Sequence, residues 1–302
     1  MITLKQINYA LAVAKTLHFK KAAEACAVSQ SALSTGLAEL EKQLDIQLFE
    51  RDNKKVLITP IGREFLERAQ AIKLQVDELC RLSHSYKAPL NCPISIGIIP
   101  TIAPFLLPQV LPEVRRQYSD FHVRIVEETS HVLLQKLRQG DIDAAIIALP
   151  YDHEGLLAFE FWREDFYWVA HRDEVKTTDE SVAPASLEHT QLMLLKDGHC
   201  LKDHALAACK LSQQAPANAF SSTSLLTLVQ MVAAKMGSTL VPEMALKQLV
   251  DPLGELRALH LNAPSPHRRI AFVVRPNYVG LADVEILIDV FREQLARALP
   301  RG

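Results

Sequence analysis

Cysteine is scarce in this 302-residue chain, and its five copies are scattered: Cys26, Cys80, Cys92, Cys200 and Cys209. An odd, dispersed set is not the framework of a small secreted domain and fits a reducing cytosol. A strong charge of one sign is also missing. The net charge of −2 excludes a polycation that coats nucleic acid by charge alone. Long apolar helices are missing too. Residues 88–112 carry no charge, but Pro89, Pro93, Pro100, Pro104, Pro108 and Pro112 interrupt them, which excludes a membrane-spanning helix. Ala10–Ala14 is too short for the apolar core of a secretory signal. No low-complexity segment or internal repeat is visible. With 49% hydrophobic and 23% charged residues, the composition is that of a globular chain of about two domains.

Against this background one stretch stands out: KDGHCLKDHALAAC, Lys196–Cys209. Cys200 and Cys209 are nine residues apart. In a helix their Cα atoms are roughly 13 Å apart, whereas a disulfide needs Cα atoms within about 7 Å. The pair stays reduced in a helix and joins only if the segment refolds. The plainer reading is two small buried residues, since free cysteine is commonly a core residue.

The first sixty residues carry eight Lys/Arg against six Asp/Glu. Thr3-Leu4-Lys5-Gln6 is a capping-box pattern. Leu4, Ile7, Leu11 and Val13 continue at helical spacing. Phe19, Ala22, Ala23 and Cys26 make a short second helix. Ser29 then caps a third over Gln30–Leu44, with Leu33, Leu37, Leu40 and Leu44 inward. Two helices, a short turn and a polar-faced third helix make a helix-turn-helix. Gln30, Ser31, Ser34 and Thr35 are its candidates for contact with base edges and phosphates. Two short strands around Asp52-Asn53 make a wing. Arg51, Lys54 and Lys55 there, with Lys20 on the second helix, supply cations for the DNA backbone.

The segment FKKAAEACAVSQSALSTGLAELEKQLDIQLFERDNKKVLITPIG resembles the N-terminal signature of the LysR-type family of bacterial transcription regulators, notably in AAE, VSQSALS, LEKQL, LFER and T-x-x-G. Residues 1–59 are then a winged helix-turn-helix. Residues 60–88 are a linker helix, because Pro60 suits a first helical position and Phe65, Ala69, Ile72, Val76 and Leu79 form a coiled-coil seam for a second copy. Cys80 beside it reads as packing. From Cys92 strands and helices alternate: strands at Ile94–Ile99, His122–Glu127, Ala144–Leu149, Phe161–Ala170, Leu192–Leu195, Ser238–Val241 and Ile270–Val274, and helices at Thr101–Gln117, Val132–Arg138, Ser224–Met236 and Leu281–Leu299. That alternation predicts parallel α/β sheets with ligands at the carboxyl ends of strands. The resemblance implies that residues 89–302 form two α/β lobes like those of periplasmic binding proteins. Lobe one takes residues 89–163 and 268–302, lobe two 164–267, with crossovers near Arg163 and His267.

Within that family GHCLKDHALAAC resembles the hydrogen peroxide-sensing branch, as do IPTIAPFLLP, SHVLLQKL and STSLLTLVQMVAAKMG. The resemblance implies that peroxide oxidises Cys200 to a sulfenic acid, which Cys209 resolves as a disulfide. It implies a peroxide site of Thr101, Ser130, His199 and an arginine, Arg268 or Arg269. It implies refolding of the regulatory region and altered binding at promoters of antioxidant genes. Its implied partners are double-stranded DNA, a second copy, usually a tetramer of two dimers, hydrogen peroxide and RNA polymerase. No cofactor, metal or membrane enters, and the location is cytoplasmic. Chemically, His199, Lys202 and a helix start after Gly198 are candidates for lowering the Cys200 pKa, and hydroxyls at Thr101 and Ser130 suit peroxide. Three features depart from the branch's usual pattern: Ser130 for threonine, Lys202 for arginine and His204 for glutamine. Three rivals remain. A small metabolite between the lobes can gate such a regulator without either cysteine. His199, Cys200, His204 and Cys209 offer metal ligands, though in no spacing that zinc sites use. A thiol peroxidase is the enzymatic rival, and the helix-turn-helix speaks against it.

Overall fold

The computed structural model describes residues 1–52, 55–85, 89–175, 180–187, 191–196, 198–209, 221–222, 224–264 and 267–299. It divides into two compact units, Met1–His84 and Ser85–Gly302.

In the first unit α1 (Leu4–Thr16) opens on the expected capping box, with Thr3 and Gln6 each bonding the other's backbone N–H. α2 (Phe19–Ala25) and α3 (Gln30–Leu44) follow, and the Ser29 hydroxyl caps α3 by accepting from Ala32 N. Tyr9, Val13, Ala22, Leu33, Leu37 and Leu40 close a common core with Leu48 and Phe49. β1 (Phe49–Asp52) and β2 (Lys55–Ile58) pair antiparallel as a wing. Glu41 fastens the wing's root, its Oε1 accepting from Leu48 N and Phe49 N. Asn53 and Lys54, and the side chains of Arg51 and Lys55, lie outside the described residues.

α4 (Pro60–Ser85) leaves the wing through a tight corner. Thr59 Oγ1 donates to Gln47 O and accepts from Gly62 N. A Cβ on Gly62 would lie 2.3 Å from Leu48 O, a backbone atom that cannot swing away. Gly62→Ala is therefore expected to destabilise the head by about 1–3 kcal/mol. Thermal melts and DNA titrations of wild type and variant check this, and equal melting points would refute it. Along α4, Leu66 packs into the head's core and Ala69 is buried, while Ile72 and Leu79 face solvent. The side chain of Cys80 is outside the described residues.

The second unit is built on two larger sheets. The first holds β3 (Ile94–Ile98), β4 (Val123–Glu127), β5 (Ala144–Leu149), β6 (Leu157–Glu164) and later β13 (Arg268–Val274), in the order β4-β3-β5-β13-β6. β7 (Phe166–His171) and β8 (Ser181–Val182) belong to the second, whose order is β11-β7-β12-β8, with β11 at Thr239–Pro242 and β12 at Leu256–Leu261. β9 (Leu194–Leu195) and β10 (Ser221–Ser222) pair separately. The helices are α5 (Ala103–Gln117), α6 (Ser130–Gln139), α7 (Cys200–Cys209), α8 (Leu225–Ala233), α9 (Glu243–Leu249) and α10 (Leu281–Ala298).

Two sequence expectations are corrected here. The single strand over Phe161–Ala170 is two strands in two sheets, parted at Asp165. Asp165 turns out of the ladder to accept from His267 N and to meet His260 Nε2. The sheets are also mixed rather than parallel. β3 runs parallel to β4 and β5, but β13 returns from the second sheet and pairs antiparallel with β5 and β6. β12 and α9 had no counterpart in the sequence reading.

Candidate redox site

The ends of three neighbouring strands set the site. Thr101 follows β3, Ser130 follows β4 as the first residue of α6, and Ala148 lies near the end of β5. These are carboxyl ends of mutually parallel strands, where open α/β sheets place their ligands. Arg268 enters from the start of β13, the other neighbour of β5. Cys200 is the first residue of α7, after Gly198 has taken a left-handed φ of 96°. Thr101, Ser130, Arg268 and Cys200 are all buried.

Arg268 is held on three sides. Nε pairs with Glu164 Oε1 at 2.5 Å, with both side chains fully buried. Nη1 donates to Thr101 Oγ1 at 3.3 Å and Nη2 to the Thr101 carbonyl at 3.2 Å. The second oxygen of Glu164 accepts from Met244 N at the start of α9. Arg269, the next residue of the strand, points to the other face and bonds half-exposed Glu160. Adjacent strand residues face opposite ways, so only Arg268 of the two belongs to the site.

Burial pushes the Cys200 thiol above its ordinary value. Ser130, the Arg268 charge and the Ala148 backbone pull it back down, while the Asp203 carboxylate raises it. The buried Ser130 hydroxyl lies against the Cys200 sulfur, to which it can donate, and meets no other hydrogen-bond partner among the described residues. His199 sits half-buried at the turn into α7, its imidazole pushed towards neutrality by burial. Lys202 and Asp203 lie on the first turn of α7 beyond it. Two neighbours were not foreseen from sequence. One is Glu164. The other is Tyr151, whose phenol is raised by burial first and then by Cys200 and Asp203. A lone Glu or Tyr outside any motif gives no signal.

α7 holds Cys200 at its first residue and Cys209 at its last, both buried and both free thiols. At about 1.5 Å rise per residue their Cα atoms are roughly 13 Å apart along the axis. Burial pushes the Cys209 thiol up to about 11. One turn beyond Cys200, His204 is buried, and burial keeps its ring neutral. Its Nε2 lies 2.9 Å from the Pro150 carbonyl, to which it donates, tying α7 to the end of β5. The four residues that suggested a metal are thus spread along a helix, and one is already engaged. Among the described residues no group of three or more His, Cys, Asp or Glu is arranged to hold an ion.

In the first unit Lys20, Gln30, Ser31 and Thr35 are exposed and Ser34 is half-buried. Gln30 and Ser31 open α3, whose first N–H groups favour phosphate.

Residues 4–63 match the family described as bacterial regulatory helix-turn-helix protein, lysR family. Residues 89–296 match the LysR substrate binding domain. Among curated relatives, the HTH-type transcriptional regulator EstR of Acinetobacter baylyi is 34% identical over 290 residues, 96% of either chain. The hydrogen peroxide-inducible genes activator of Dickeya chrysanthemi is 34% identical over 294 residues, 97% of this chain and 96% of that one. Among solved structures, full-length OxyR of Pseudomonas aeruginosa with one cysteine changed to aspartate matches with a TM-score of 0.80 and 32% identity. The match covers 97% of this chain and 95% of that one.

Proposed function

Because this chain belongs to the LysR family of helix-turn-helix transcription regulators, we propose that it senses hydrogen peroxide through Cys200 and relays oxidation to its DNA-binding head. The family makes it a regulator and not an enzyme. The observation that carries the proposal is a buried thiol set among the Ser130 hydroxyl, the Arg268 guanidinium and Thr101, with a second thiol at the far end of the same helix.

The chemistry balances without a cofactor. The Cys200 thiolate attacks one peroxide oxygen and gives it two electrons. An S–O bond forms, the O–O bond breaks, and the leaving hydroxide takes a proton and departs as water. Thr101 Oγ1 accepts from Arg268, so its own O–H is free to donate, and the Ser130 O–H, set against the thiol, can turn to the departing oxygen. The product is a sulfenic acid at Cys200. The Cys209 thiolate then attacks that sulfur, the S–O bond breaks, a disulfide forms and a second water leaves. The second step requires α7 to unwind, because a helix holds the cysteines too far apart. Unwinding breaks the His204–Pro150 tie and frees the face that α7 buries.

Output follows from the other unit. The exposed Ile72 and Leu79 of α4 are the faces a second copy would cover. A dimer places two heads on a two-fold site, and a shift between paired regulatory regions alters their spacing. A tetramer of two dimers, cytoplasmic location, contact with RNA polymerase and control of antioxidant genes complete the reading.

Thiol counting by mass spectrometry tests it, before and after about one equivalent of peroxide per chain, in wild type and Cys200→Ser. A Cys200–Cys209 disulfide that forms in wild type and not in the variant is expected. Unchanged thiols, or oxidation spread over all five cysteines, would instead favour a regulator gated by a small metabolite between its lobes.

A further inference from the structure

Arg268 has five N–H groups in a rigid fork. One serves Glu164, one the Thr101 hydroxyl and one the Thr101 carbonyl. Two remain, one on each terminal nitrogen, and the guanidinium is close enough for its charge to act on Cys200. Their aim depends on how the guanidinium is clamped at its other edge. That clamp is Glu164, the last residue of β6, itself fixed by Met244 N across the gap between the two sheets. We propose that Glu164 is a positioning residue for the redox cysteine: through Arg268 it aims the donors at the peroxide position and limits the positive charge that the thiol feels. The proposal rests on the peroxide reading for the reaction, though not for the charge effect.

The physical case has two parts. A carboxylate in contact with a fully buried guanidinium cancels most of its field a few ångströms further on, so Cys200 meets a screened cation. The paired geometry also removes the guanidinium's freedom to swing towards Cys200 or away from it. The other charged or titratable groups around the thiol are Asp203 and His204 on α7, Tyr151 after β5 and half-buried His199. None of them touches Arg268 as Glu164 does.

The two functions separate by substitution. Glu164→Gln keeps an oxygen to accept from Arg268 Nε and loses the charge. Glu164→Asp keeps the charge and falls short by one methylene. Two pH profiles are measured on the full chain. One is the ultraviolet absorbance of the Cys200 thiolate, taken as the difference from Cys200→Ser. The other is the rate of Cys200 oxidation by peroxide. For Glu164→Gln both half-points are expected to move to lower pH by about one unit, as an unscreened cation stabilises the thiolate. For Glu164→Asp the titration stays in place and oxidation slows about tenfold or more, because the donors are misplaced. A Glu164 that is only structural would change the melting temperature and leave both profiles unmoved, and that overturns the proposal. Failure of both variants to fold overturns it as well. If wild type does not react with peroxide at Cys200 but Glu164→Gln still shifts the titration, the sensing reading fails and charge control by Glu164 stands.

Discussion

Arg268→Met is expected to slow Cys200 oxidation by about a hundredfold or more and to destabilise the regulatory unit by about 3–5 kcal/mol. The rate effect has two sources. On the proposed peroxide reading the substitution removes donors to the departing oxygen, and it removes the cation whose charge lowers the thiol's pKa. The pH profile of oxidation therefore moves to higher pH, opposite to the shift expected for Glu164→Gln. The stability effect has a different origin. Methionine fills much of the same space, but Glu164 is left with a buried charge and no cation. Breaking one side of a buried pair costs more than the pair contributes. A second substitution separates the two. Glu164→Leu added to Arg268→Met replaces both charges with apolar volume, and it is expected to recover most of the lost stability and none of the lost rate. Rapid-mixing kinetics with peroxide and denaturant melts on wild type, Arg268→Met and the double variant give the comparison. Recovery of the rate in the double variant would show that Arg268 serves the fold and not the thiol.

The same pair marks where sequence reasoning stops. The two cysteines, the capped recognition helix and the alternating strands were legible because each is a local pattern. Thr101 and Ser130 were legible only through resemblance, since a hydroxyl near a strand end usually does no more than cap a helix. Choosing between Arg268 and Arg269 needed the register of β13. One step along a strand reverses the face, and nothing local fixes which face is inward. Glu164 was invisible for a related reason. It sits within the charged triplet Arg163-Glu164-Asp165, where the chain leaves one sheet for the other. The resemblance placed a crossover near Arg163, but reading the triplet as part of one strand hid the break between two strands and the residue that turns inward at it. His204 was noticed as a departure, but its tie to Pro150 joins residues 54 apart. Long-range contacts of this kind are set by topology.

Cys209→Ala is expected to leave the first oxidation step close to the wild-type rate and to abolish the conformational response. Cys209 lies about two and a half turns from the reacting sulfur, so its loss does not disturb the donors around Cys200. Peroxide then yields a sulfenic acid with no resolving partner, which a carbon-acid trapping reagent labels in the variant and scarcely in wild type. Amide exchange across α7 stays slow after oxidation in the variant and becomes fast in wild type. Binding to operator DNA changes only in wild type. The physical reason lies in the helix. In its folded seat the Cys209 thiol is buried and pushed up to about 11, so at neutral pH it is both too distant and too protonated to attack. Opening the helix brings the sulfur within reach and lifts the burial that raises its pKa, which on the proposed reading makes opening the committing step. A pH measurement follows with a definite sign. The folded pKa lies above the ordinary value of 9.0, so the stability that goes with a neutral Cys209 is fully present below that value. It is lost as pH rises towards about 11. Wild type is expected to lose stability over that interval more steeply than Cys209→Ala. If Cys209→Ala alters DNA binding on oxidation as fully as wild type does, the sulfenic acid alone is the signal, and the length of α7 has no part in it.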